Sequence, residues 1–167
     1  AEFRPDALAG VTRLIEAGYA VREAASGLQA LAALEADPGV DLVVMDFAMP
    51  GMNGAETALE VRKRWPALPV LVVTGFADTT ALTKAGAVGI DAAGEEWHVA
   101  GLRVPVRDTT GAGDAFVGAL AAALAGGATL HDAAREATRV AAYSVQRLGA
   151  HDSHPEQDAP LTLSAPA

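Results

Sequence analysis

The chain has 167 residues, 51% hydrophobic and 20% charged, which suits a globular domain with a real core and excludes a disordered segment. A net charge of −9 opposes nucleic-acid phosphates, and the absence of Cys excludes disulfides, thiolate catalysis and Cys-type metal sites. No apolar run reaches the roughly 20 residues needed to span a bilayer, and no signal-peptide pattern is present, so neither nucleic acid nor membrane is an expected partner and the expected location is the cytoplasm, or recombinant expression alone.

Ala1, Glu2 and Phe3 read as a cloning remnant, because a common restriction hexamer encodes Glu-Phe. Pro5 and Asp6 then start a helix in which Leu8, Val11, Leu14 and Ile15 recur at helical spacing and Gly18 is the stop. Tyr19 to Ala25 reads as a strand, and Leu28, Leu31 and Leu34 line a second helix that Pro38-Gly39 ends. Val40 to Met45 is an almost continuous apolar run, the pattern of a parallel strand covered on both faces. Met49 to Asn53 is a loop, Gly54 to Trp65 a helix, and Val70 to Thr74 the next buried strand. A short helix over 79–85 follows, then a hairpin of Val88–Ala92 and Trp97–Ala100. Helices run from about Gly111 to Ala125 and from Thr129 onward, with Thr129 as cap and Gly126-Gly127 as the stop between them. The second carries an inward stripe of Ala133, Ala137, Val140, Ala141, Ser144 and Leu148. The tail from His151 reads as disordered. This order predicts an α/β fold: a three-layer α/β/α sandwich, mostly parallel, with an added β-hairpin and two C-terminal helices.

The run from Asp41 through Asp46 to Met49-Pro50 and Gly54 resembles the phosphorylation loop of response-regulator receiver domains, and the resemblance spans about residues 5–80. It implies a flavodoxin-like sheet in which Asp46 is the phosphoacceptor and Thr74 the hydroxyl that senses the phosphoryl oxygens. It also implies an acidic pair that holds magnesium on a first strand, and a lysine on the last. The chain opens at the first helix, so that strand and pair are expected to be missing, and Lys84 stands in a different context from the family's lysine. Loss of the central strand makes a strand-exchanged homodimer an expected partner state.

Asp108-Thr109-Thr110-Gly111-Ala112-Gly113-Asp114-Ala115-Phe116 resembles the C-terminal signature of ribokinase-like carbohydrate and nucleoside kinases, with agreeing flanks from about 85 to 150. Gly111, Ala112 and Gly113 allow backbone N–H groups to converge at a helix start, forming an anion hole. The resemblance implies that Asp114 is the base that deprotonates a substrate hydroxyl, with Asp108 and Thr110 shaping the turn and capping the helix. Asn53-Gly-Ala-Glu56 spells that family's metal-site motif but falls inside the receiver-like loop, where it reads as coincidence. His98, His131, His151 and His154 lack a ligand spacing, no metal site is expected, and Trp65 and Trp97 read as cover for the core.

Residues 1–4 are thus expected to be a remnant, 5–150 one cooperative α/β domain (5–80 receiver-like, 81–150 kinase-like, with a seam near 78–86), and 151–167 a flexible tail. The expected function is that of an artificial or recombined chimera without evolved catalytic activity. It requires no cofactor and keeps a vestigial phosphate or nucleotide site at Gly111–Asp114. The alternatives are a ribokinase-like sugar or nucleoside kinase fragment using ATP or phosphate with magnesium, and a phosphorylatable receiver-type signalling module.

Overall fold

The computed structural model describes residues 8–74 and 86–147. In chain order these form α1 (Leu8–Glu16), α2 (Gly27–Ala36), β1 (Val43–Asp46), α3 (Gly54–Arg64), β2 (Val70–Thr74), β3 (Gly86–Ile90), β4 (Glu96–Ala100), α4 (Ala112–Ala125) and α5 (Leu130–Ser144). The expected helix at 79–85, most of the seam, Lys84, Leu148, His151, His154, the start at 1–4 and the tail at 151–167 lie outside the described residues. The class is α/β, as expected. The described residues gather into two compact units, one of residues 22–74 and 86–98, the other of 8–21 and 99–147.

The sheet belongs mainly to the first unit, in the order β1-β2-β3-β4. β1 and β2 are parallel, with Val43 opposite Val70 and Asp46 opposite Val73. β2 and β3 run antiparallel, with Val70 opposite Ile90 and Thr74 opposite Gly86. The sheet is therefore mixed, because the hairpin supplies an antiparallel neighbour where the βα alternation alone predicts another parallel strand. Five residues join β3 to β4, pinned where Asp91 Oδ1 accepts the Glu95 N–H at 2.9 Å. Trp97 lies over Gly89, so a Cβ at 89 would run into the indole ring. Trp97 covers the sheet, as the sequence suggested.

Leu31 and Leu34 of α2 and Ala58 and Val61 of α3 bury Met45, Val70 and Val72, with Trp65 against the same cluster. Leu71 and Ala87, on the other face of the sheet, are fully buried too. Leu28 is corrected: it is 67% exposed. The buried stripe instead runs through Gly27, Leu31 and Leu34, and Leu28 lies about 100° round the helix from Gly27. Gly27 is required there by close packing, since any Cβ would overlap Thr57 Oγ1 of α3.

The expected strand at 19–25 does not form. A strand exists only with a hydrogen-bonding neighbour, and among the described residues β1 is the sheet edge and pairs only with β2. Side chains tether the segment instead. Arg22 Nε donates to Asp37 Oδ2 at 2.9 Å, and the Ala25 N–H donates to Gln29 Oε1 at 3.0 Å. The Gly39 N–H, and after it Arg22, hold the Asp37 carboxyl below the usual carboxylate range. A depressed acid favours the folded state above its unfolded pKa, so this tether loosens as pH falls through the lowered value.

In the second unit α4 packs against both α5 and α1. Ala112, Ala115, Gly118 and Ala121 on α4, and Ala133, Ala134, Ala137, Ala141 and Ala142 on α5, are buried. Side chains this small let helix axes approach closely. Thr138 and Ser144 are buried among them, and each hydroxyl donates to a carbonyl of its own helix at 2.8 Å, so neither is left unpaired. α1 ends in a left-handed Gly18, with Tyr19 N–H bonded to Leu14 O, while Ile15 near its end is exposed rather than inward. Gly126-Gly127 ends α4 in the same way, with Gly127 at φ 84° and the Ala128 N–H on Ala123 O.

Candidate functional site

Each unit carries one candidate site. In the second unit it is built from the chain leading into α4. Arg107 and Asp108 both donate their N–H to Val145 O, at 2.7 and 3.2 Å, which ties the loop to the end of α5. Asp108 Oδ1 accepts the Thr110 N–H at 2.9 Å and so shapes the turn, as the resemblance implies. The helix cap falls on Gly111, at φ 80°, and no side chain caps it. Thr110 therefore does not take the capping role. A left-handed residue without a Cβ is what the turn needs at 111.

The missing cap separates α4 from α2, α3 and α5, which Ser26, Asn53 and Thr129 cap through their side chains. The first N–H groups of a helix carry partial positive charge and have no intrahelical partner. Here Ala112 is buried and donates to Thr109 O, whereas a Cβ at Gly113 would meet nothing within 4 Å. Packing does not require glycine at 113, and the space above it stays open. Asp114 is half-buried in the first turn and is not a free carboxylate. Gly111, Ala112, Gly113 and Asp114 are thus brought together at one helix start, an arrangement able to receive an anion. Phe116, two residues on, is buried in the core.

In the first unit Asp46 ends β1 and Thr74 ends β2, and the parallel register puts both at the carboxyl edge of the pair. That edge is where open α/β sheets place ligands. The Asp46 side chain is exposed, and its Oδ1 accepts the Ala48 N–H at 3.1 Å. The loop behind it is tightly tied: Phe47 N–H donates to Val73 O at 2.8 Å, and Gly54 N–H to Phe47 O at 2.9 Å. A Cβ on Gly54 would stand 2.5 Å from Asp46 O and 2.8 Å from Phe47 Cα. Gly54 is required by this close approach of α3 to the end of β1.

Asn53 and Glu56 have a definite role that sequence reading missed. Asn53 Oδ1 accepts the Glu56 N–H and Glu56 Oε2 accepts the Asn53 N–H, both at 2.9 Å, a reciprocal capping box at the start of α3. The three-residue spacing just before a helix was the available signal. Among the described residues no group of three or more His, Asp or Glu side chains gathers as a metal site, and no helix is long and apolar enough to cross a membrane. His98 and His131 are exposed.

The response regulator receiver domain family matches residues 2–93, and the pfkB family of carbohydrate kinases matches residues 72–157. The chain is 43% identical over 72 residues to the sensor kinase CckA of Brucella abortus, covering 42% of this chain and 8% of that protein. It is 50% identical over 56 residues to the bifunctional protein HldE of a Bradyrhizobium strain, covering 34% of this chain and 11% of that protein. Among solved structures it is similar to Arabidopsis thaliana ribokinase complexed with ribose and ATP, with 27% identity, a TM-score of 0.54, and coverage of 70% of this chain and 38% of the other. The chain therefore spans a minor part of each relative. Each family matches more than half of these residues, and both matches include 72–93, so the chain belongs to two families at once: the response regulator receiver domains and the pfkB carbohydrate kinases.

Proposed function

We propose that this chain is a recombined fusion whose working function is to bind a phosphate-bearing ligand, a nucleotide such as ATP, at Gly111–Asp114, without sugar phosphorylation. The observation that carries this reading is the start of α4: uncapped, turned by a left-handed Gly111, and open above Gly113. The ATP held by the similar Arabidopsis ribokinase supports the choice of ligand. Receiver sequence, rather than further kinase sequence, precedes the kinase match, which supports binding without turnover. Asp114, the base implied by the family, would then lie beside a phosphate with no sugar hydroxyl positioned to give up its proton.

Calorimetric titration with ATP and magnesium tests the reading. Saturable binding is expected, and Gly113→Ala should weaken it at least about tenfold by placing a methyl where the phosphate sits. The same substitution should leave the fold intact or firmer by up to about 1 kcal/mol, because alanine favours the helix. Equal binding by the variant defeats the site. ATP turnover with a panel of sugars, abolished by Asp114→Ala, defeats the exclusion of catalysis and makes the chain a kinase.

The second reading is a phosphorylatable receiver-type module, favoured by the exposed Asp46 carboxylate at the same strand edge as Thr74. Attack of Asp46 on acetyl phosphate would form an acyl phosphate and release acetate. Intact mass after incubation with acetyl phosphate and magnesium should show no stoichiometric adduct if anion binding is the working function. An adduct lost in Asp46→Asn makes the receiver reading the better one.

A further inference from the structure

Among the described residues the sheet ends on β1, and that edge has a direction and a charge. Val43 and Phe47 donate their N–H groups to Pro69 O and Val73 O, at 3.0 and 2.8 Å, on the β2 side. Backbone groups alternate along a strand, so Val44 turns its N–H and C=O, and Asp46 its N–H, to the opposite side, while Gly54 of α3 lies against Asp46 O. Among the described residues no backbone group bonds to them there. Val44 is 37% exposed, and Phe47, just past the end of β1, is exposed as well. Sheet edges in general are guarded by Lys, Pro or a covering element. Residues 41–47 contain neither Lys nor Pro, and their only charges are the exposed carboxylates Asp41 and Asp46.

We propose that the open edge of β1 is a strand-addition site for an extended peptide segment with an apolar residue between two basic ones. The spacing follows from antiparallel register. A basic residue opposite Asp46 puts the residue two later opposite Val44 and, with the pairing carried two residues beyond the start of β1, the residue five later opposite Asp41. The pattern is therefore Lys-x-Val-x-x-Lys. The residue facing Val44 exchanges both backbone hydrogen bonds with it, and the basic side chains meet the two carboxylates. Pairing with a second copy is the weaker alternative. It would set two Asp46 and two Asp41 carboxylates along one short ribbon with no cation among residues 41–47, between chains that each carry −9.

The test uses the whole chain and a fluorescein-labelled peptide containing Lys-Thr-Val-Thr-Thr-Lys, read by anisotropy. Saturable binding is expected, weakening as salt rises. Methylating the peptide nitrogen of the central Val, or replacing both Lys with Glu, should each weaken binding at least about tenfold, equivalent to 1.4 kcal/mol. The exposed Asp41→Lys should weaken the Lys peptide and strengthen one with Glu at the sixth position. Undiminished binding of the N-methylated peptide overturns the proposal, as does an unchanged preference in Asp41→Lys. No saturable binding at millimolar peptide does so too. A dimer in light scattering that Asp41→Lys tightens also overturns it, since the edge would then belong to a second copy. None of these readouts depends on phosphate binding at α4.

Discussion

Replacing Phe116 with Ala should cost about 3–5 kcal/mol of stability, the range for removing a buried aromatic ring. Phe116 is 3% exposed on the face of α4 shared with Ala112, Ala115 and Leu120, and α4 packs against both α5 and α1. The buried residues of α4 and α5 are mostly alanines, whose short side chains have little reach to fill a cavity. Since a domain is stable by only about 5–15 kcal/mol, the loss would consume a large share. Urea unfolding followed by circular dichroism measures it, and a loss below about 1 kcal/mol would mean that the ring does not fill the core. The last position of the kinase signature thus holds the fold, while the glycines five and three residues before it shape the start of α4, where the anion site is proposed. A sequence motif records both demands without separating them.

Gly54→Ala should destabilise the chain by roughly 2–3 kcal/mol, although alanine is the better helix former by about 1 kcal/mol. The new Cβ would meet Asp46 O at 2.5 Å and Phe47 Cα at 2.8 Å. Both are backbone atoms. Neither can rotate away, and Phe47 is fixed on one side by Val73 O and on the other by Gly54 N–H. Either α3 moves back from the sheet, with loss of Ala58 and Val61 packing, or β1 shifts at its end and carries Asp46 with it. Thermal unfolding beside Gly113→Ala gives the contrast: the same change of residue should lower the midpoint at 54 and leave or raise it at 113, where the Cβ meets open space. Equal midpoints would contradict the close approach.

Much of this was legible in the sequence because it rests on local chemistry. Apolar runs gave β1 and β2, the glycines gave the ends of α1 and α4, and the two signatures placed Asp46, Thr74 and Gly111–Asp114 at element ends. What failed depended on partners. Residues 19–25 have strand-like composition, but β propensity is realised only against a neighbouring strand. Leu28 and Ile15 fit a helical stripe by spacing, and the helices are rotated by contacts that spacing does not encode, such as Gly27 against Thr57. The capping role of Asn53 and Glu56 was hidden by a spelling shared with another motif.

The two units do not follow the two ancestries. Most of β4, beyond the end of the receiver match, belongs to the same unit as α2 and α3, whereas α1, from the receiver match, packs on α4 of the kinase match. Among the described residues the chain changes unit at 21–22 and again at 98–99, so the second unit is made of separated segments. Residues 72–93, claimed by both families, contain the last residues of β2 and all of β3. The two strands there run antiparallel, with Val72 opposite Val88 and Thr74 opposite Gly86.

Titration of the 15N-labelled chain with ATP, followed amide by amide, tests the proposed phosphate site most directly. Saturable shifts centred on the amides of Gly111, Ala112, Gly113 and Asp114, and absent in Gly113→Ala, are the predicted result. Shifts scattered over basic surface residues, or none at those four amides, would contradict it.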